Sequence, residues 1–267
     1  MASLRRIRAM FMRYLYLHKR SVSRVLELIF WPVMELFVWG FVTVYVRQSG
    51  SGDIGNIIVF LMSGLIFWDI LYRSQQAVTI SFIEDIWTQN ILNILISPLR
   101  LHEWFITTFL YGLIKTTLIT LILGAIAYTG YSFDLMHSFG FYLLPLMFNL
   151  MLFGWSLGMM TSGMLIRWGH SVEALIWGIP FLVQPLSAIY YPLSVLPNWV
   201  QKIALCLPST YIFEGMRQII SQGTLDTHYV TMSFILNMIY FILGGFVFKA
   251  MYQWSRATGR LGRLGMD

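Results

Sequence analysis

Six long stretches of this chain are almost free of charge, and each approaches the roughly 20 apolar residues a helix needs to cross a bilayer. They cover residues 25–46, 56–80, 104–129, 139–165, 171–191 and 229–250. Continuous apolar runs of this length read as membrane-spanning helices. Only 11% of the residues are charged and 57% are hydrophobic, whereas a soluble domain carries about 25% charged residues. The expected fold class is therefore all-α integral membrane, six transmembrane helices in a single domain over residues 1–267. The first two spans are separated by "RQSGSGDIG", a Gly/Ser turn too polar for the bilayer. Pro32, Pro145, Pro180 and Pro185 fall inside spans. Proline is tolerated there when neighbouring groups satisfy the carbonyl it frees.

A net charge of +6 raises the question of nucleic acid, and the positions of the charges answer it. They sit at the chain ends and in short loops, as in a bilayer protein. Six spans place both termini on one side. That side then holds thirteen Lys and Arg residues: Arg5, Arg6, Arg8, Arg13, Lys19, Arg20, Arg24, Arg100, Arg167, Lys249, Arg256, Arg260 and Arg263. The other side holds three, Arg47, Lys202 and Arg217. The bias predicts cytoplasmic termini. The opening residues lack the apolar core and cleavage site of a signal peptide. Residues 1–24 instead place Leu4, Ile7, Phe11, Tyr14 and Leu15 at helical spacing. Arg6, Arg13 and Arg20 recur every seven residues on one face. This predicts an amphipathic interface helix on the membrane surface; a plain positive anchor is the alternative.

Between spans two and three lies "SFIEDIWTQNILNILISPLR". Ser81 followed by Glu84 reads as a capping box that begins a helix, and Pro98 ends it. Residues 81–99 are thus expected to form a short amphipathic helix at the cytoplasmic side. Glu84, Asp85, Thr88 and Gln89 make its polar stripe, and Ile83, Trp87, Ile91, Ile94 and Leu95 its apolar one. A simple connector needs no such display of two acids, a Trp, a Gln and an Asn; a docking surface for a partner does.

Three features together make the chain similar to the permease subunits of type-2 ABC exporters. They are the basic amphipathic start before a first span of form E-x-x-x-W-P, the cytoplasmic segment ending "LISPLR", and "LPSTYIFEGMR" in the outer segment before the last span. The resemblance implies a dimer that forms the translocation pathway in a bacterial or archaeal plasma (inner) membrane. It implies a separate cytoplasmic ABC ATPase, itself dimeric, which would bind ATP and Mg; no cofactor is implied for this chain. It also makes the 81–99 segment a coupling helix, with Glu84, Asp85, Trp87, Gln89, Asn90 and Pro98 as the residues that meet the ATPase. Consistent with a separate motor, the chain has no G-x-x-x-x-G-K-[ST] loop.

Residues 192–228 are divided by Pro192, Pro197 and Pro208. Two short helices fit there, 197–205 and 210–221, and the resemblance makes them re-entrant. Glu214 and Arg217 are three apart and can pair, and Cys206 reads as a small buried apolar residue. Ionisable residues inside spans need a reason. Asp69 and Arg73, four apart, are expected to pair with each other. Glu35 and Lys115 either line a substrate path or bridge two helices. Trp31, Trp39, Tyr45, Phe67, Trp68, Tyr190 and Tyr191 concentrate in spans one, two and five; they serve as interfacial bulk or as an aromatic path. The five histidines form no metal-ligand pattern, and no catalytic constellation is present. The expected function is ATP-driven export of an amphiphile (drug, lipid or lipid-linked polysaccharide) by a homodimer or heterodimer. The rival is a stand-alone secondary transporter or channel, which needs internal repeats or a polar midplane site.

Overall fold

The computed structural model describes residues 2–48 and 54–259. Arg260 and Arg263, and the centre of the Gly/Ser turn after the first span, lie outside the described residues. The helices are α1 (Ala2–Lys19), α2 (Val22–Gln48), α3 (Ile54–Trp87), α4 (Ile91–Ile96), α5 (Leu101–Tyr131), α6 (Leu135–Phe139), α7 (Leu143–Trp168), α8 (Ala174–Leu186), α9 (Asn198–Ala204), α10 (Pro208–Gln222) and α11 (Thr227–Ala257). No strand occurs among the described residues. Four segments combine the length and apolarity of a crossing: Val22–Tyr45, Leu101–Tyr131, Leu135–Trp168 and Thr227–Ala257. α3 has the length as well, at 34 residues.

The fifth expected span is shorter than the sequence suggests. α8 has 13 residues, a rise of about 20 Å, whereas the hydrocarbon layer is roughly 30 Å thick. Two prolines lie within it, and the chain turns directly after it. Ala188 adopts a left-handed φ of 51°, and the Ser187 hydroxyl lies 2.6 Å from that of Ser209 on α10. The helix therefore stops at Leu186 and hands the chain to the segment that carries α9 and α10.

α7 is the hub of the bundle, packed between α3 and α11; α5 packs on α3 and also reaches α7 and α11, where Phe109 stacks on Trp155 and Phe105 meets Phe248. Lipid offers little hydrophobic drive for helix association, so close packing and polar bonds do the work. Gly154 and Gly158 let α7 approach α3. A Cβ on Gly154 would lie 2.5 Å from the Leu71 carbonyl oxygen, and one on Gly158 would lie 2.7 Å from Cβ of Val78. Beside them, the hydroxyls of Thr79 and Thr161 are 2.7 Å apart. Gln75 Nε2 donates to Thr79 Oγ1 at 3.1 Å and to the Ile176 carbonyl at 3.2 Å. That carbonyl is four residues before Pro180, whose missing N–H frees it. Gln76 Nε2 reaches the same oxygen at 3.4 Å. α7 is tied to α11 by Asn237 Nδ2, which donates to the Asn149 carbonyl at 2.9 Å.

The cytoplasmic helix expected over 81–99 is not a separate element. Residues 81–87 are the last turns of α3, and only Ile91–Ile96 form a helix of their own. Ser81 does not cap: its hydroxyl donates to the Ala77 carbonyl at 2.7 Å, inside the continuing helix. A serine in apolar surroundings can satisfy itself on the preceding turn without ending a helix. The break comes later, where Gln89 takes a φ of 53°. α4 ends before Pro98, and Ser97 is extended (φ −68°, ψ 161°), the conformation that proline imposes on its predecessor.

Candidate functional site

The turn from α3 through α4 to α5 is held from one side by α1. Met10 and Tyr14 of α1 are buried with Phe82, Ile83, Ile86, Ile91 and Trp104 in one apolar cluster. Tyr14 stacks on Tyr111 at 5.4 Å, and its hydroxyl accepts from Trp104 Nε1 at 2.7 Å. Two ion pairs bracket this cluster. Arg13 binds Asp85 at the end of α3 through both terminal nitrogens. Arg6 Nε donates to Glu103 Oε2 at 2.8 Å at the start of α5. The same Glu103 oxygen accepts from the Arg100 backbone N–H at 3.0 Å, closing the first turn of α5. α1 thus grips both helices that enter and leave the turn.

This geometry corrects the picture of an outward polar stripe. Asp85 is 1% exposed and faces Arg13. Glu84 is half-buried, 3.5 Å from Arg24. Asn90 is occupied within the turn, donating to Asp85 at 3.3 Å and accepting from Asn93 at 3.1 Å. The acids face inward because cations lie against them, Arg13 of α1 beside Asp85 and Arg24 of α2 beside Glu84. What projects outward is mainly apolar and neutral: Trp87 at 48% exposure, Ile96 at 81%, and the exposed Thr88, Gln89, Asn93 and Pro98.

A cavity of about 360 Å³ opens between α1, α2, α3, α5 and α8, with Arg24, Trp31, Arg73, Lys115 and Trp177 among its walls. Asp69 and Arg73 are paired, Oδ1 to Nε 3.1 Å. The bridge weighed between Glu35 and Lys115 does not occur. Lys115 Nζ instead lies 3.4 Å from His18 Nε2 and 5.3 Å from the centre of the Tyr111 ring.

Burial, reinforced by the Lys115 ammonium and the Arg24 guanidinium, lowers His18 from its ordinary 6.5 to about 4. A base whose pKa falls on folding takes up more protons when unfolded, so stability rises with pH across the interval between the two values. The stabilisation is complete above pH 6.5 and is lost as the pH drops towards 4. Docking of α1 should therefore loosen on acidification from pH 7 to pH 5. Limited proteolysis within residues 2–19 should accelerate over that range, and the acceleration should be smaller in His18→Gln. An equal pH response in both proteins would show that His18 is not the group involved.

On α10, Glu214 and Arg217 form an ion pair at 2.7 Å. Glu214 also accepts from the Leu193 backbone N–H at 2.8 Å, and Arg217 donates to the Tyr191 carbonyl. Together they hold the reversal between α8 and α10. Cys206 is exposed, not buried as its residue type suggested, because it lies at the surface of the turn that follows α9. Phe67 and Trp68 are core residues, whereas Trp31 and Tyr45 stand exposed on α2. Trp39 stacks on Tyr190 at 4.5 Å. Among the described residues, no three potential metal ligands come together.

Sequence reasoning missed Glu103, whose partner lies 97 positions away. The seven-residue repeat of Arg6 and Arg13 was the available signal, since it put two cations on one face in need of acids. The spacing Gly154-x-x-x-Gly158 equally marked a close helix contact.

A bundle of long apolar helices with buried polar ladders, and with an amphipathic first helix clamped to a short turn between two of them, defines a multi-pass membrane protein. The chain belongs to the ABC-2 type transporter family, whose pattern it matches over residues 6–221. It is a permease component of an ABC transporter. No curated protein matches it.

Proposed function

We propose that this permease is the membrane subunit of an ATP-driven exporter, that two copies enclose the pathway, and that an ABC ATPase drives them through the α3–α4–α5 turn. ATP and Mg belong to that ATPase. The observation that carries the reading is the outward tip of Trp87 and Ile96 on a turn gripped by α1. Exposed aromatic and aliphatic anchors are what a partner protein buries at the centre of an interface. The grip means that a push on the tip moves α1, α3 and α5 together.

The six-span arrangement with cytoplasmic termini counts α3 and α8 as crossings and treats α9 and α10 as re-entrant. The charge bias supports it. The second copy would cover the exposed apolar side of α2, where Phe37 and Phe41 are 38% and 67% exposed. α3 contributes little to the pathway at midplane, since Leu65 to Leu71 are buried within the subunit. Its part is the cavity-facing turn that carries Tyr72, Arg73 and Gln76.

Reporter fusions at residues 134 and 267 should report opposite sides. The permease, reconstituted with the ATPase it co-purifies with, should expel an amphiphilic dye only when ATP is present. Efflux from vesicles holding the permease alone would select the rival, a stand-alone transporter or channel, and same-side reporters would remove the six-span arrangement.

A further inference from the structure

The cavity between α1, α2, α3, α5 and α8 holds two cations, Lys115 and Arg24, that make no charge-assisted hydrogen bond to a carboxylate among the described residues. Lys115 lines the cavity. Among the described residues no carboxylate forms an ion pair with Lys115, and its hydrogen-bond partner is the neutral ring of His18, 3.4 Å away. Arg24 Nη1 is buried yet makes no hydrogen bond; Glu84 stands 3.5 Å from it, close enough for attraction only. Both cations are half-buried, and of the two only Lys115 lacks a carboxylate partner among the described residues; a partly buried charge without one is costly. Glu84 faces Arg24, and Glu27 is exposed at the rim. The third cation, Arg73, is already paired with Asp69. Lys115 has no carboxylate partner among the described residues, and Nη1 of Arg24 has no hydrogen bond, so an acceptor oxygen entering the cavity could engage both.

The cavity is also amphipathic. Trp31 and Trp177, 63% and 40% exposed, stand in its wall with Leu28. α2, which carries Trp31, is one of the apolar crossings. A ligand whose charged group reaches Lys115 would leave the cavity past tryptophans, an environment suited to an acyl or ring-bearing tail.

We propose that this cavity binds the phosphate headgroup of an anionic amphiphile, with Lys115 and Arg24 as its counter-charges and Trp31 and Trp177 against its tail. This deepens the exporter reading by assigning the substrate an anionic headgroup, and so rests on it. Bidentate or shared phosphate contacts with Arg and Lys are charge-assisted and directional. Glu27 at the rim selects against looser anionic ligands and would repel one that fails to seat fully.

The test uses the purified permease in nanodiscs of phosphatidylcholine, with quenching of tryptophan fluorescence as the readout and lysophosphatidate, the monoacylglycerol of the same chain, and inorganic phosphate as probes. Lysophosphatidate should bind saturably and roughly tenfold or more tighter than the monoacylglycerol, the size expected from a charge-assisted contact. Lys115→Gln should remove most of that difference and Lys115→Arg should keep it. Glu27→Gln, at an exposed position, should tighten binding several-fold; a site for cationic amphiphiles would weaken instead. Inorganic phosphate saturating at the same concentration as lysophosphatidate would identify a soluble anion as the source and would overturn the amphiphile. Equal affinity for the two lipids, or no response to Glu27→Gln and Lys115→Gln, overturns the site. If lysophosphatidate does not bind while the complex with its ATPase still expels a neutral amphiphile, the site fails and the exporter reading stands. If it binds but no ATPase associates, the exporter reading fails and the site stands.

Discussion

Replacing Trp87 and Ile96 together by alanine should lower co-purification of the ATPase and ATP-driven efflux by roughly tenfold or more, with insertion unchanged. The two side chains are 48% and 81% exposed, so the subunit loses little by their removal; exposed substitutions typically stay within about 0.5 kcal/mol. A partner that buries both loses the centre of its interface. Asp85→Asn makes a contrasting variant. It leaves the tip in place but removes the charge that Arg13 binds. The cost is about 1–2 kcal/mol, below the full value for a buried pair because Arg13 keeps 31% exposure. Association should survive in Asp85→Asn, while α1 becomes easier to cleave. If the Trp87 and Ile96 double variant still associates and couples normally, the turn is only a connector. Combining Arg13→Gln with Asp85→Asn should cost less than the sum of the two changes, because each alone leaves a charge without its partner.

Gly154→Ala should destabilise the permease by about 2–3 kcal/mol, and Gly154→Val should prevent a monodisperse protein from being purified. The added Cβ meets the Leu71 carbonyl oxygen at 2.5 Å and Cβ of Ser74 at 2.7 Å. The first is backbone and cannot swing aside, so α7 would have to move away from α3. That movement would also pull Thr161 from Thr79 and Gln75 from the Ile176 carbonyl. Gly245→Ala is the control: nothing lies within 4 Å of a Cβ there, and in a helix interior alanine is favoured over glycine by up to about 1 kcal/mol. Thermal unfolding in detergent, followed by size exclusion, separates the two cases. Similar stability for Gly154→Ala and Gly245→Ala would mean that α3 and α7 are not in such close contact.

The apolar runs were enough to establish a helical membrane protein, because in hydrocarbon the backbone has no other partner than itself. Local chemistry also marked the ends that depend on neighbours in sequence. Pro98 stops α4, and Pro208 begins α10 at a position where its missing N–H is harmless. What only the tertiary structure decided is where each polar group points. Glu84 and Asp85 form a polar stripe in the sequence, but a stripe does not say whether it meets water, a partner or another part of the chain. Here it meets Arg24 and Arg13, and Asp85 and Arg13 are 72 residues apart. Ser81 and Glu84 have the spacing of a helix start, yet the packing of Phe82 and Ile83 in the cluster with Tyr14 favours continuing α3 through them. Lys115 could be read as a partner for Glu35 until the fold placed it beside His18. Periodicity records which residues share a face. The energy of a buried charge depends on what stands opposite that face, and that is set by contacts between helices distant in the chain.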